Sequence, residues 1–114
     1  MRTKPGKSFP ATISRPVSTE VKSKLLIVKT AEDNYFDRAI SSVVFTNSGD
    51  NLQGVKLDAI KKAFKLKTLF GSLIFLPIQV HKQAAVGQWE VLINTEVSEG
   101  EPTEETIISN FKVK

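Results

Sequence analysis

Cysteine is absent from this 114-residue chain, and it has one histidine, one tryptophan, one tyrosine and one methionine. Without cysteine there can be no disulfide, no thiolate nucleophile and no cysteine-ligated zinc site. His81 has no second histidine to share a metal with, and no serine lies in a nucleophile-elbow motif. The six glycines are scattered rather than grouped in a phosphate-binding loop. We therefore expect a protein that is not an enzyme and has neither a cofactor nor a metal site.

A long hydrophobic run is also missing. The most apolar stretch, residues 69–80, is shorter than the roughly 20 residues of a membrane-spanning helix. The N-terminus carries positive charges but no apolar segment like that of a signal peptide. These features predict no membrane insertion and a location in the cytoplasm of a host cell or in a virion.

Positive charge is concentrated in two parts of the chain, although the net charge is only +4. Residues 1–30 contain seven basic residues and one acidic residue, and residues 51–82 contain six and one. Acidic residues predominate in residues 83–114. Such segregation can form a basic surface that attracts polyanions, but it can equally support head-to-tail self-association.

The first 20 residues have few apolar side chains, no periodicity and several prolines. They predict a basic, extended N-terminal arm in front of one globular domain, residues 21–114. Such arms bind nucleic acid or wrap a neighbouring subunit. The candidate phosphate-contacting residues of the arm are Arg2, Lys4 and Lys7.

The segment Val55–Lys67 has the 3.6-residue periodicity of an amphipathic helix, with apolar residues on one side and lysines on the other. We interpret it as a basic helix. Its exposed lysines are either a solvated surface or a second set of phosphate contacts, namely Lys61, Lys62, Lys65 and Lys67.

Strand patterns surround this segment. Residues 69–80 are apolar at both parities and predict a central strand that is covered on both faces. Residues 88–97 alternate and predict a strand paired with 73–80 in a hairpin. Further strands are expected at 22–29 and 106–113. Residues 31–41 predict a second helix, followed by an extended piece to Thr46. The expected fold class is α+β: an antiparallel sheet of about four strands packed against one or two helices, with an OB-like barrel as a variant.

Aromatic residues mostly fall within apolar patterns and are expected in the core. The candidates for stacking on a nucleic-acid base are Trp89, Tyr35 and Phe9, although the alternating context of Trp89 also suits the core.

Two functional hypotheses follow. The first is a small nucleic-acid-binding accessory protein, for example of a phage, that contacts single-stranded DNA or another nucleic acid electrostatically through the basic helix and arm. The second is a structural or assembly protein, a virion or complex subunit that forms a homo-oligomer through its arm. A module that regulates another protein is a weaker alternative.

Overall fold

The computed structural model describes residues 2–30, 40–47, 54–68, 71–95 and 105–114. Within these ranges the chain is almost entirely extended, and its only helical element is a single 3₁₀ turn at Ile60–Lys62. The strands, in chain order, are β1 Arg2–Pro5, β2 Lys7–Phe9, β3 Thr12–Ile13, β4 Val21–Thr30, β5 Ile40–Asn47, β6 Val55–Leu57, β7 Phe64–Thr68, β8 Gly71–His81, β9 Gly87–Thr95 and β10 Glu105–Val113.

The described strands form two five-stranded sheets. In sheet A the order is β1, β10, β9, β5, and β3 also pairs with β10. In sheet B the order is β2, β4, β8, β6, and β7 also pairs with β8. The two longest strands, β4 and β8, pair antiparallel over ten residue pairs and lie at the centre of sheet B. The predicted α+β fold is therefore wrong, because most of the described chain is strand and no helix formed by the described residues packs on either sheet.

The core lies between the two sheets and follows the two-residue period of each strand. On β8 every second side chain is buried, and β4 contributes Leu26 and Val28 to the same side. Sheet A supplies Trp89, Phe111 and neighbouring aliphatic residues. The predicted strands at 22–29, 69–80, 88–97 and 106–113 are confirmed in position over their described residues, which leave out 69–70 and 96–97.

The predicted helix at 55–67 is wrong: this segment is β6, the 3₁₀ turn and β7. The sequence Phe64-Lys65-Leu66-Lys67 alternates strictly, so it fits a strand as well as a helix. Both short strands pair with β8, and the break between them lies beside Pro77. The Pro77 carbonyl accepts a hydrogen bond from the Asp58 N–H at 2.9 Å. Proline has no N–H, so it cannot donate the second hydrogen bond that a ladder pair would need. The ladder is therefore interrupted there.

The predicted hairpin between residues 73–80 and 88–97 is also wrong. The two segments are β8 and β9, which belong to different sheets and face each other across the core. The connection between them is a tight corner, in which Ala84 is buried and donates its N–H to the His81 carbonyl at 3.0 Å. Gly54 packs against this corner: a Cβ there would lie 2.6 Å from Ala84 Cα, so only glycine fits.

Residues 2–13 contain three short strands, and these belong to both sheets rather than to one. β1 pairs parallel with β10 in sheet A, and β2 pairs antiparallel with β4 in sheet B. Of the predicted helix at 31–41, residues 31–39 lie outside the described residues, and residues 40–41 already belong to β5. The extended piece to Thr46 is confirmed.

Candidate functional site

The outward side of sheet B carries apolar side chains aligned across four strands. Phe9 on β2 is opposite Ile27 on β4. Ile27 is in turn opposite Phe75 on β8, and Phe75 is opposite Phe64 on β7. We call these four residues the aromatic row. The rings of Phe64 and Phe75 stack with centroids 4.6 Å apart and planes 12° apart.

The aromatic row is open to solvent at both ends: Phe9 is 42% exposed and Phe64 is 54% exposed. Single exposed apolar residues are ordinary on protein surfaces, whereas a contiguous apolar patch marks a binding surface. The aromatic row also adjoins Leu25 and Leu66, each about half exposed. The outward side of sheet B therefore has the composition of an interface.

Positive charge lies directly beside the aromatic row. A second set of paired residues lies two positions further along each strand from the aromatic row. In it, Lys7 on β2 is opposite Lys29 on β4, and Lys29 is opposite Leu73 on β8. Both lysines are exposed. The Lys7 ammonium lies 5.6 Å from the centroid of the Phe9 ring, within cation–π range. The surface thus combines flat apolar rings with cations.

The charged residues on the strands of this surface have one sign. Among the described strands of sheet B, every outward-facing charged residue is a lysine: Lys7, Lys29 and Lys56. The outward side of sheet A differs, because it carries Glu90 as well as Lys112. One end of that side carries a hydrogen-bonded polar group, in which Asn94 bonds Ser42 at 2.9 Å and Thr106 at 2.7 Å. Only sheet B therefore presents aromatic rings and unopposed positive charge together.

The lysines that the sequence places on one face of a helix lie instead on the 3₁₀ turn and on β7. Lys61 and Lys62 are exposed on the 3₁₀ turn, and Lys65 is half-buried on β7. Lys61 and Lys65 line a cleft of about 350 Å³ together with Phe64, at one end of the aromatic row. Lys65 is in register with the buried Ile74, so it lies on the core-facing side of β7 and not beside the outward rings. Of the predicted lysines of this segment, Lys61 is the one that is exposed near Phe64.

Lys62 has a local partner instead. Its ammonium lies 2.8 Å from the Asp58 carboxylate, which also accepts a hydrogen bond from the Gln79 amide at 2.8 Å. The hydrogen bond and the positive charge of Lys62 lower the pKa of Asp58. This pair fixes the 3₁₀ turn against β8, so Lys62 is engaged within the chain.

The remaining predicted residues are distributed over several places. Lys7 lies on the outward side of sheet B, as described. Trp89 is 1% exposed, stacks on Phe111 in the core and donates its indole N–H to the Ala85 carbonyl at 2.8 Å. Its ring therefore has no face free for a base. The side chains of Arg2, Lys4 and Lys67 lie outside the description of the structure.

Of the aromatic row, only Phe9 is a stacking candidate from the sequence, although the sequence contains a signal for the rest. Tyr35, another candidate, lies outside the described residues. The apolar residues of β8 at both parities were interpreted as a strand covered on both faces. In the structure one parity faces the core, and the other, with Leu73 and Phe75, lies half-buried on the outside. An apolar residue at every position of a strand can therefore indicate a core on one side and a binding surface on the other.

No group of three or more possible metal ligands lies together in the described part of the chain. Among the described residues, no helix is long and apolar enough to cross a bilayer. In comparisons with known proteins, no family model matches the sequence and no curated protein matches it. The function therefore has to be inferred from the surface itself.

Proposed function

We propose that this protein is a non-enzymatic binding protein for single-stranded nucleic acid, which it holds on the outward side of sheet B without sequence preference. Unpaired bases stack on the aromatic row, and Lys7 and Lys29 contact the phosphates. The observation that carries the proposal is the alignment of Phe9, Phe75 and Phe64 across the strands of sheet B, beside lysines and with no acidic residue at the outward positions of its described strands.

The chemistry favours an unpaired strand over a duplex. Bases in a duplex are stacked on each other, whereas those of a single strand offer their flat faces to aromatic side chains. Each base–aromatic stack contributes about 1–3 kcal/mol and tolerates every base, because every base has a π-face. A sheet surface with exposed rings at both ends of a row supplies several such positions.

The charge favours a polyanion over a second copy of the chain. Two copies that met through this surface would bring the lysines of one close to the lysines of the other, with no outward acidic residue on the described strands of sheet B to neutralise them. A nucleic-acid strand instead supplies a negative charge at each phosphate and releases its counterions on binding. In such a complex the aromatic rings contact the bases and the lysines contact the phosphates.

The test is fluorescence anisotropy of labelled single-stranded and duplex oligonucleotides of equal length, at fixed salt, with three variants. Phe64→Ala removes the ring, whereas Phe64→Leu keeps an apolar side chain without a π-face. Val44→Ala is the matched control, because Val44 is 39% exposed on the outward side of sheet A. We expect the wild-type chain to bind the single strand more tightly than the duplex.

The loss of one stack of 1–3 kcal/mol corresponds to an affinity reduced about 5- to 150-fold. We expect such a reduction in both Phe64 variants and none in the Val44 variant. If Phe64→Leu bound like the wild type, the surface would be a general apolar interface, as expected for a protein partner or for self-assembly. Absence of binding to either oligonucleotide at low salt would reject the proposal outright.

A further inference from the structure

A pocket of about 320 Å³ with several polar side chains in its lining opens on the outward side of sheet B, at the end of β8 that carries His81. Gln79 and His81 on β8 form one wall, at strand positions four and six residues beyond Phe75, which places the pocket about 14 Å or more from the aromatic row. The facing strands supply Lys56, opposite Gln79, and Val21, opposite His81. The lining is completed by Gly54 and Gln83.

The His81 ring is fixed in a form that can donate into this pocket. Its Nδ1 accepts a hydrogen bond from the Gln83 backbone N–H at 3.0 Å, so in the neutral ring the proton is on Nε2. The backbone on either side is held as well: the His81 N–H donates to the Gly54 carbonyl, and its carbonyl accepts from Ala84. The imidazole is thus oriented before any ligand arrives.

The other polar groups of the pocket are mainly donors. The Lys56 ammonium is exposed and has no ion-pair partner within the described ranges, while the Gln83 amide has two N–H groups to offer. The nearby Asp58 carboxylate does not line the pocket, and Lys62 and Gln79 already occupy it. An anion in the pocket would therefore meet an ammonium, an imidazole N–H and an amide.

We propose that this pocket binds a phosphate group. Two of the donors, Lys56 and His81, lie on different strands, and the third, Gln83, lies at the corner between β8 and β9. Three donors suit a tetrahedral anion with three or more acceptor oxygens better than a carboxylate, which has two. A free phosphate monoester and a phosphodiester of a bound strand share this chemistry. The site does not depend on the aromatic row, because none of its six lining residues belongs to that row.

The single histidine makes the test specific, because the His81 ring gives the only imidazole signals in the NMR spectrum of the full chain. At fixed pH and ionic strength, the protein is titrated separately with inorganic phosphate, adenosine 5′-monophosphate, adenosine, acetate and a single-stranded oligonucleotide. Lys56→Gln removes the ammonium. Lys112→Gln, on the outward side of sheet A, is the matched control.

We expect saturable shifts of the His81 signals with inorganic phosphate and the monophosphate, and none with adenosine or acetate. Loss of a charge-assisted contact should weaken phosphate binding roughly tenfold in Lys56→Gln and leave it unchanged in Lys112→Gln. Shifts with the oligonucleotide alone would assign the pocket to strand phosphodiesters. No shift with any phosphate, or an equal shift with adenosine, would overturn the proposal. Phe64→Ala should bind phosphate normally, which separates this site from the proposed stacking surface.

Discussion

Phe111 and Phe64 provide a direct test of which side of each sheet is the core. Phe111 is 2% exposed and packs against Phe45 and Trp89, with ring centroids 6.2 Å and 6.4 Å away. Truncating such a buried ring to alanine costs about 3–5 kcal/mol, through lost burial and the cavity that remains. Phe64 is about half exposed and stacks on Phe75, the one ring partner it has among the described residues, so Phe64→Ala should cost only about 1 kcal/mol.

The assay is urea denaturation followed by the fluorescence of Trp89, the only tryptophan of the chain. With a denaturant slope of about 2 kcal/mol per molar, Phe111→Ala should lower the midpoint by roughly 2 M and Phe64→Ala by about 0.5 M. Phe111→Leu keeps most of the side-chain volume, so its urea midpoint should lie between those of Phe111→Ala and Phe64→Ala. Equal losses in Phe111→Ala and Phe64→Ala would refute the assignment of the core to the space between the sheets. A small loss in Phe64→Ala also establishes that its binding defect is not caused by unfolding.

Two further predictions concern polar contacts. Ser8 on β2 and Ser109 on β10 share a buried hydrogen bond between the sheets, with their hydroxyl oxygens 2.6 Å apart, so Ser8→Ala should cost about 1–3 kcal/mol by leaving Ser109 unsatisfied. The double change to alanine should recover part of that loss in a thermal or urea denaturation cycle, and simple additivity would show that the hydroxyls do not interact. The second prediction is that Lys62→Met raises the pKa of Asp58 towards the ordinary aspartate value in a carboxyl-carbon NMR titration. Because folding lowers the pKa of Asp58, the stabilisation from its carboxylate is complete at a pH above the ordinary aspartate pKa and is lost as the pH falls through the folded-state pKa. An unchanged Asp58 pKa in Lys62→Met would contradict the ion pair.

The strands were predictable where the two-residue period has no competitor. Residues 88–97 alternate without a helical stripe, and β9 lies within one or two residues of the expected position. Residues 55–67 satisfy both periods, so local pattern alone could not choose between helix and strand. The choice is made by pairing with β8, a contact between residues distant in sequence. Tertiary context has overridden helix propensity here.

Strand pairing was less predictable than strand position. Two neighbouring strands with a short connection usually pair, which made a hairpin of 73–80 and 88–97 the natural expectation. The chain instead crosses from one sheet to the other at Ala84. The buried Ala84, the tight approach of Gly54 and the indole hydrogen bond to Ala85 fix that corner. None of these contacts has a local sequence signature.

The candidate site was predicted only in part. The sequence identified the excess of lysine, and Lys7 lies on the proposed surface. It did not identify Phe9, Phe64 and Phe75 as neighbours, because they are brought together by pairing between four strands. Trp89 is a stacking candidate from the sequence, but its alternating context also suits the core, where the structure has it.

The most direct measurement of the proposed function is the salt dependence of single-strand binding in lysine variants. Each phosphate contact contributes a slope of about 0.7 to the fall of log affinity with log salt concentration for a single strand. The double variant Lys7→Gln/Lys29→Gln should therefore flatten the slope by about 1.4 relative to the wild type. Lys112→Gln removes one charge of the same sign from sheet A and should leave the slope unchanged. Equal slopes in the wild type and the double variant would contradict the assignment of nucleic-acid binding to the outward side of sheet B.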